Sequence, residues 1–289
     1  MGRKPSYNEQ GALRMPMGFP PEGLASALEC PAESDDIIVT SYPKCGTTWL
    51  QNIVYLIMHQ GEPLAAGKRL ADVFPHLEEV GRDGVTRLPQ PRLIKTHLPF
   101  AMTPYHPQAR YLYVARNPFD CAVSFFHHTR GFPKHYDFYE GTFEEFFECF
   151  MRGEVDFGDY FDNLMSWYAH KDDRNVLFVT YESMKGDIRT TVQRVGAFLE
   201  VGAVDDEKIV EDVIRHSSFE SMRQNQRRWA SRRSENMPGF IRKGIVGDWV
   251  NEFSAGQARR LLAKFSERSQ GTDVGRLWPD ILQVASEHR

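Results

Sequence analysis

The stretch Ser41-Tyr-Pro-Lys44-Cys-Gly46-Thr47-Thr48-Trp49 joins two segments of opposite character. Before it, Ile37 to Ser41 is a short β-branched run bounded by Asp36 and Pro43, the pattern of a buried strand. After it, over Thr47 to Gln60, Trp49, Leu50, Ile53, Val54, Ile57 and Met58 recur at helical spacing, so the chain passes from strand through a tight turn into a helix. A helix start offers unpaired N–H groups and a positive dipole end. Gly46 permits close backbone approach, and Lys44 with two hydroxyls adds charge and donors. The stretch reads either as a phosphate-binding loop or as a strand-to-helix turn with a capping threonine. It is not a Walker loop for nucleoside triphosphates, because its lysine precedes the glycine.

Outward from this point, Arg92 to Thr96, Arg110 to Ala115 and Val176 to Thr180 are further strand candidates, each followed by turn or helix signals. Strands alternating with helices predict an α/β fold with a central, mostly parallel sheet covered on both faces. Residues 1 to 35 are rich in Pro and Gly and read as irregular. Between Glu140 and Asp162, eight acids and one base alternate with phenylalanines, which predicts an amphipathic helical region with a solvated acidic face. Between Arg223 and Lys243, seven bases and one acid predict a long, mobile basic loop.

Composition excludes several classes. The 289 residues are 41% apolar and 26% charged, as in a globular protein with a sizeable core. A net charge of −4 argues against general binding to nucleic acid or membrane surfaces, so any bound anion must be held locally. Cys30, Cys45, Cys121 and Cys149 form no CxxC pair and read as reduced thiols. With no apolar run long enough to span a membrane and no signal-peptide core, a cytoplasmic location is expected. Gly2 and Ser6 fit a loose myristoylation pattern that Arg3 and Pro5 make an awkward context.

Tyr42-Pro-Lys-Cys-Gly-Thr-Thr-Trp49 resembles the loop of the cytosolic sulfotransferases, which take a sulfuryl group from 3′-phosphoadenosine 5′-phosphosulfate (PAPS) and release adenosine 3′,5′-bisphosphate (PAP). Leu93-Ile-Lys95-Thr-His97-Leu-Pro99, Tyr113-Val-Ala-Arg116-Asn-Pro118 with Ser124, Tyr181-Glu-Ser-Met-Lys185, Ser217-Ser-Phe219 and Arg242-Lys-Gly244-Ile-Val-Gly-Asp-Trp249 follow in that family's order. The resemblance spans nearly the whole chain. It implies one sulfotransferase domain over residues 1 to 289, related in architecture to the P-loop nucleotide kinases. The positive excess of the 223–243 segment needs an anionic partner and its C-terminal end carries phosphate ligands, so it is expected to order over the nucleotide as a lid.

The resemblance also implies roles. Lys44 and the amides of Cys45, Gly46, Thr47 and Thr48 would hold the 5′ end of the donor, while Arg116, Ser124, Arg242, Lys243 and Gly244 would hold the 3′-phosphate. Trp49 and Phe219 resemble the rings that sandwich the adenine, with Tyr181, Ser217 and Met222 near it. His97 resembles the general base, and Lys44 and Lys95 the fixed cations that stabilise charge on the sulfuryl group and the departing phosphate. No metal is expected. Asn117-Pro118 reads as an N-cap and first helical position fixing Arg116 at a strand end.

The acceptor is expected to be a small phenol or phenolic monoamine. His76 and His128 stand where phenol-preferring members carry phenylalanines, and Phe100, Tyr105, Phe125, Phe126 and Phe132 lie in the bordering segments. Cys45 replaces a common serine and is either oxidation-sensitive or buried and inert. The family's dimer segment is degraded here, with Val250 and Arg259 in place of its Lys and Glu, so a monomer or weak homodimer is expected, with no nucleic-acid or membrane partner. A nucleotide-binding regulatory module and a small-molecule kinase are the alternatives.

Overall fold

The computed structural model describes residues 2–229 and 239–288. Among these, β1 (Tyr7–Gln10) and β2 (Leu13–Pro16) form an antiparallel hairpin, while β3 (Ile37–Thr40), β4 (Leu93–Thr96), β5 (Arg110–Ala115) and β6 (Val176–Thr180) form a parallel sheet in the order β4-β3-β5-β6. Four parallel strands need helical crossovers, and Ile38, Val39, Leu112 and Val114 are buried on both faces, as a sheet covered from two sides requires. The chain leaves β3 toward β4 on one side and then returns past it to β5 on the other. That reversal opens a crevice at the carboxyl ends of the strands.

The helix Thr47–Met58 rests on the sheet through Leu50, Ile53, Val54, Leu56 and Ile57, all buried. Each such aliphatic side chain contributes about 1.5–3 kcal/mol relative to exposure. At the opposite, amino edge of the sheet, Arg92 donates from Nε and Nη2 to the two oxygens of Asp36, at 2.6 Å each. This buried pair fastens the start of β4 to the start of β3, whose residues run in register from Ile37↔Leu93 to Thr40↔Thr96.

Two expectations are corrected. Residues 1–35 are not irregular: they hold the β1–β2 hairpin and the helix Gly23–Leu28. The Gln10 side chain ties hairpin to helix, donating to the Pro20 carbonyl at 2.8 Å and accepting from the Leu24 amide at 2.9 Å. Four-residue strands joined by a glycine turn carry too few apolar residues to stand out by period alone. The 140–162 region is two helices, Phe143–Met151 and Tyr160–Tyr168, separated by a loop in which Phe157 and Gly158 take φ of 63° and 76°. Its acids are not all solvated: Asp156 is buried in that loop. Of the basic 223–243 stretch, residues 230–238 lie outside the described residues, and the expected lid with them.

Candidate active site

Each strand of the parallel sheet delivers a polar side chain to the same edge. Lys44 follows β3, Lys95 and His97 lie on and just after the end of β4, Arg116 follows β5 and Tyr181 follows β6. All five line one cavity of about 430 Å³.

The loop after β3 is shaped by backbone conformation. Lys44 takes φ 69° and Gly46 takes φ 107° as the N-cap of the Thr47–Met58 helix. Any Cβ on Gly46 would come 2.8 Å from Cδ2 of Tyr181, so only glycine lets the ring lie against the loop. Gly46, Thr47 and Thr48 line the cavity at the helix N-terminus, where unpaired amides and the dipole favour an anion. The Lys44 ammonium lies 4.1 Å above the ring of Phe240. Cys45 turns the other way: it is buried, does not line the cavity and brings its Sγ within 3.7 Å of Cys121 Sγ.

His97 is 6% exposed, and its Nδ1 lies 2.7 Å from the Ser41 carbonyl, which can only accept. Nδ1 therefore carries the proton and Nε2 keeps its lone pair. Burial, then the charge of Lys95, hold the imidazole well below its ordinary pKa, against the opposing Ser41 contact. Burial likewise lowers Lys95, with Glu78 and Glu79 acting against it. A neutral imidazole beside two ammonium groups can take a proton while the cations hold negative charge.

Behind His97 stands Glu78, which the sequence reading missed. Its Oε1 accepts from the His97 amide and the Thr96 hydroxyl, both at 2.8 Å, and burial pushes its carboxyl up to about 7 against those bonds. His76 Nε2 lies 3.3 Å from the other oxygen of Glu78, and the His76 ring packs edge-on to His97 with centroids 4.9 Å apart.

On the β5 side, Asn117 caps the helix Pro118–Gly131, accepting from the Asp120 amide at 2.8 Å, with Pro118 at the first turn. The Arg116 guanidinium stacks 4.3 Å above the ring of Tyr181 and donates to the Ile245 carbonyl at 3.1 Å. Its Nε is buried with no hydrogen-bond partner, a donor that a bound anion would satisfy. Asp120 then anchors the 242–249 segment, accepting from the amides of Gly247 at 2.8 Å and Trp249 at 3.1 Å. Gly244 takes φ 65°, and a Cβ there would lie 2.4 Å from Cδ2 of Phe219. Lys243 and Arg242 both donate to Asp248, at 2.6 and 2.7 Å. Although burial opposes it, these bonds and one from Asn251 hold Asp248 at about 2.

Ser124, Trp49, Ser217, Phe219, Met222, Arg242, Lys243 and Gly244 line the same cavity, as do His76, His128 and Phe132. Phe100, Tyr105, Phe125 and Phe126 do not. Phe100 stacks on His170 at 3.5 Å, Tyr105 lies over Tyr111, Phe125 packs on Tyr42, and Phe126 packs against Phe143. The apolar walls come instead from Phe19, Phe157 and Tyr136. Phe19 and Phe157 were invisible to the sequence reading because it placed them in an irregular tail and in a helix.

The crevice is thus a strand-end anion site on one side and a buried imidazole with two ammonium groups on the other. The family profile for the sulfotransferase domain matches residues 34–273, most of the chain and every one of these site residues except Phe19. The chain belongs to the sulfotransferase family. It is 33% identical over 258 residues to human sulfotransferase 1C2, covering 84% of this chain and 86% of that protein. It is 34% identical over 266 residues to a rabbit amine sulfotransferase, covering 88% and 87%. Its fold matches the crystal structure of mouse sulfotransferase SULT7A1 complexed with PAP at a TM-score of 0.79, with 30% identity over 96% of this chain and 99% of that one. Among the described residues of this sulfotransferase, no His, Cys, Asp or Glu side chains gather in a group of three able to hold a metal, and no helix is long and apolar enough to cross a membrane.

Proposed function

We propose that this sulfotransferase moves a sulfuryl group from PAPS to the hydroxyl or amine of a small acceptor, a phenol or phenolic monoamine, with His97 as general base. The observation that carries the reading is the His97 Nδ1 contact to Ser41, which leaves Nε2 as a proton acceptor in a cavity it shares with Lys44 and Lys95.

Two features support a fit to a nucleotide bearing two separate anionic groups. The amides and hydroxyls of Gly46 to Thr48 with Lys44 form one anion site, and Arg116, Ser124, Arg242, Lys243 and Gly244 the other, with the unpartnered Arg116 Nε in the second. Trp49 and Phe219 offer rings for the base, and Tyr181, Ser217 and Met222 flank them. PAPS supplies the activated sulfuryl group. His97 takes the acceptor proton at Nε2; Lys44 and Lys95 neutralise the charge that builds on the sulfuryl oxygens and the departing phosphate. His76, His128, Phe132 and Phe157 enclose the acceptor and exclude water.

Four buried, unpaired cysteines accord with work in the cytosol. Exposed Val250 and Arg259 present no reciprocal ion pair, so the protein works as a monomer or weak dimer, which sedimentation velocity over a dilution series tests.

The deciding experiment incubates the protein with labelled PAPS and a panel of phenols, monoamines, alcohols and steroids, with and without chelator. Label transfer to phenols that survives chelation supports the proposal. Binding of PAP without transfer would make this a regulatory nucleotide module, and transfer from a nucleoside triphosphate that chelator abolishes would make it a kinase. His97→Ala should bind PAP as before and lose roughly 100- to 10,000-fold in turnover.

A further inference from the structure

One buried carboxyl on the cavity wall has no part in the transfer step. Asp156 lies in the loop between helices Phe143–Met151 and Tyr160–Tyr168, bridged to Arg14 of β2. It is 2% exposed and lines the cavity. Tyr136 donates its hydroxyl to Oδ2 at 2.9 Å, whereas Oδ1 is buried with no hydrogen-bond partner. Its neighbour Phe157 packs against His97 and His76, with ring centroids 5.1 and 5.9 Å away. The unsatisfied oxygen therefore belongs to the same loop that walls the base, on the acceptor side of the crevice.

Resting on the reading of this cavity as a sulfuryl-acceptor site, we propose that Asp156 is a specificity residue whose Oδ1 receives a protonated amine carried by the acceptor, away from the reacting hydroxyl. Buried acceptor oxygens are rarely left without a donor, and an ammonium supplies both the donor and the countercharge that a buried carboxylate needs. Tyr136 fixes the other oxygen, so the carboxyl is held in one orientation. Phe157, beside it, offers a face for the aromatic ring between the amine and the hydroxyl.

Burial pushes the Asp156 carboxyl up to about 7, opposed by the Tyr136 hydrogen bond and weakly by Lys44. The groups around it do not share that range. Burial holds Tyr7, Tyr42 and Tyr136 well above the ordinary phenol value, and it lowers His76 and His135. His128 shares the cavity wall. Amine affinity should therefore strengthen as pH rises through neutrality, as the carboxyl ionises.

The test compares tyramine with para-ethylphenol, which differ in the amine, by calorimetric binding to the enzyme–PAP complex and by turnover with PAPS. In the wild-type protein tyramine should bind more tightly, and its advantage should grow between about pH 6 and 8. In Asp156→Asn, which retains an oxygen for Tyr136, the tyramine preference should fall by roughly ten- to hundredfold and lose its pH dependence. A preference unchanged by the substitution, a pH dependence that survives it, or no binding of tyramine overturns the proposal. Should Asp156→Asn fail to fold, the wild-type pH series decides alone, and a tyramine preference flat with pH overturns it. Binding that follows the prediction without turnover of either compound overturns the transferase reading and leaves the Asp156 assignment supported.

Discussion

The imidazole of His97 is locked to the carbonyl of Ser41 at 2.7 Å, and Ser41 is the residue that follows β3 and opens the lysine loop. One backbone oxygen thus sets the tautomer of the base, and the same peptide begins the turn toward Lys44. Because burial and Lys95 also keep the ring neutral below its ordinary value of 6.5, the lone pair at Nε2 persists into mildly acidic solution.

It follows that turnover of a neutral phenol should hold as pH falls through 6.5, with the acid limb of kcat below that point. A pH–rate profile measured at saturating donor checks this. A midpoint at the ordinary histidine value would mean that His97 is not the titrating base.

Arg116 offers a stacked fork, with Tyr181 under one face and its Nε buried without a hydrogen-bond partner. Arg116→Ala should weaken PAP binding by about 1.5–3 kcal/mol, a charge-assisted contact. Arg116→Lys restores charge but neither plane nor fork, so it should recover only part of the loss. Calorimetry on both variants measures it, and full recovery by lysine would show that only charge matters there.

Gly244 sits at φ 65° under the ring of Phe219. Gly244→Ala adds a left-handed backbone cost of roughly 1–2 kcal/mol and drives a methyl into that ring. PAP affinity should fall about tenfold or more, and the melting temperature should fall by a few degrees, because the folded state bears the backbone cost with or without nucleotide. Gly247→Ala is the control: φ is 84° there too, but no atom lies within 4 Å of the added Cβ. Equal losses in the two variants would assign the effect to backbone strain alone.

Glu78 makes stability depend on pH. Its carboxyl titrates at about 7 in the fold against 4.5 when free, so between these values the native state holds a proton that the unfolded chain has lost. Stability from this group is therefore present below about 4.5 and lost as pH rises through 7. Glu78→Gln removes that dependence while keeping an acceptor for Thr96 and the His97 amide. Relative to wild type, the variant should gain on the order of 3 kcal/mol between about pH 5 and 8. Thermal unfolding at the two pH values measures this, and a parallel shift at both would show that Glu78 does not titrate in the window.

The parallel sheet was legible because its strands are short β-branched or apolar runs cut off by Asp, Pro or Asn, and their period needs no tertiary context. Ile37, Arg110 and Val176 begin strands as the pattern predicts. Lys44, Lys95, His97 and Arg116 were legible for a related reason: each lies at or just beyond the carboxyl end of a strand, and a parallel sheet brings all those ends to one edge.

What the sequence by itself determined is therefore the sheet, the edge at which its loops converge and the side chains those loops carry, because these follow from local period and from the rule that parallel strands share a direction. The tertiary structure alone decided the walls. Phe19 reaches the cavity from the bend that follows a hairpin of two four-residue strands, and Phe157 and Asp156 through a loop whose left-handed backbone interrupts a run of phenylalanines and acids that reads as helix. Phe100 and Phe126, aromatic and close in sequence to the site, spend their rings on His170 and Phe143 instead. An aromatic ring gains nearly the same burial energy in a core as on a cavity wall, so its composition says that it will be covered and only the packing of distant segments says by what.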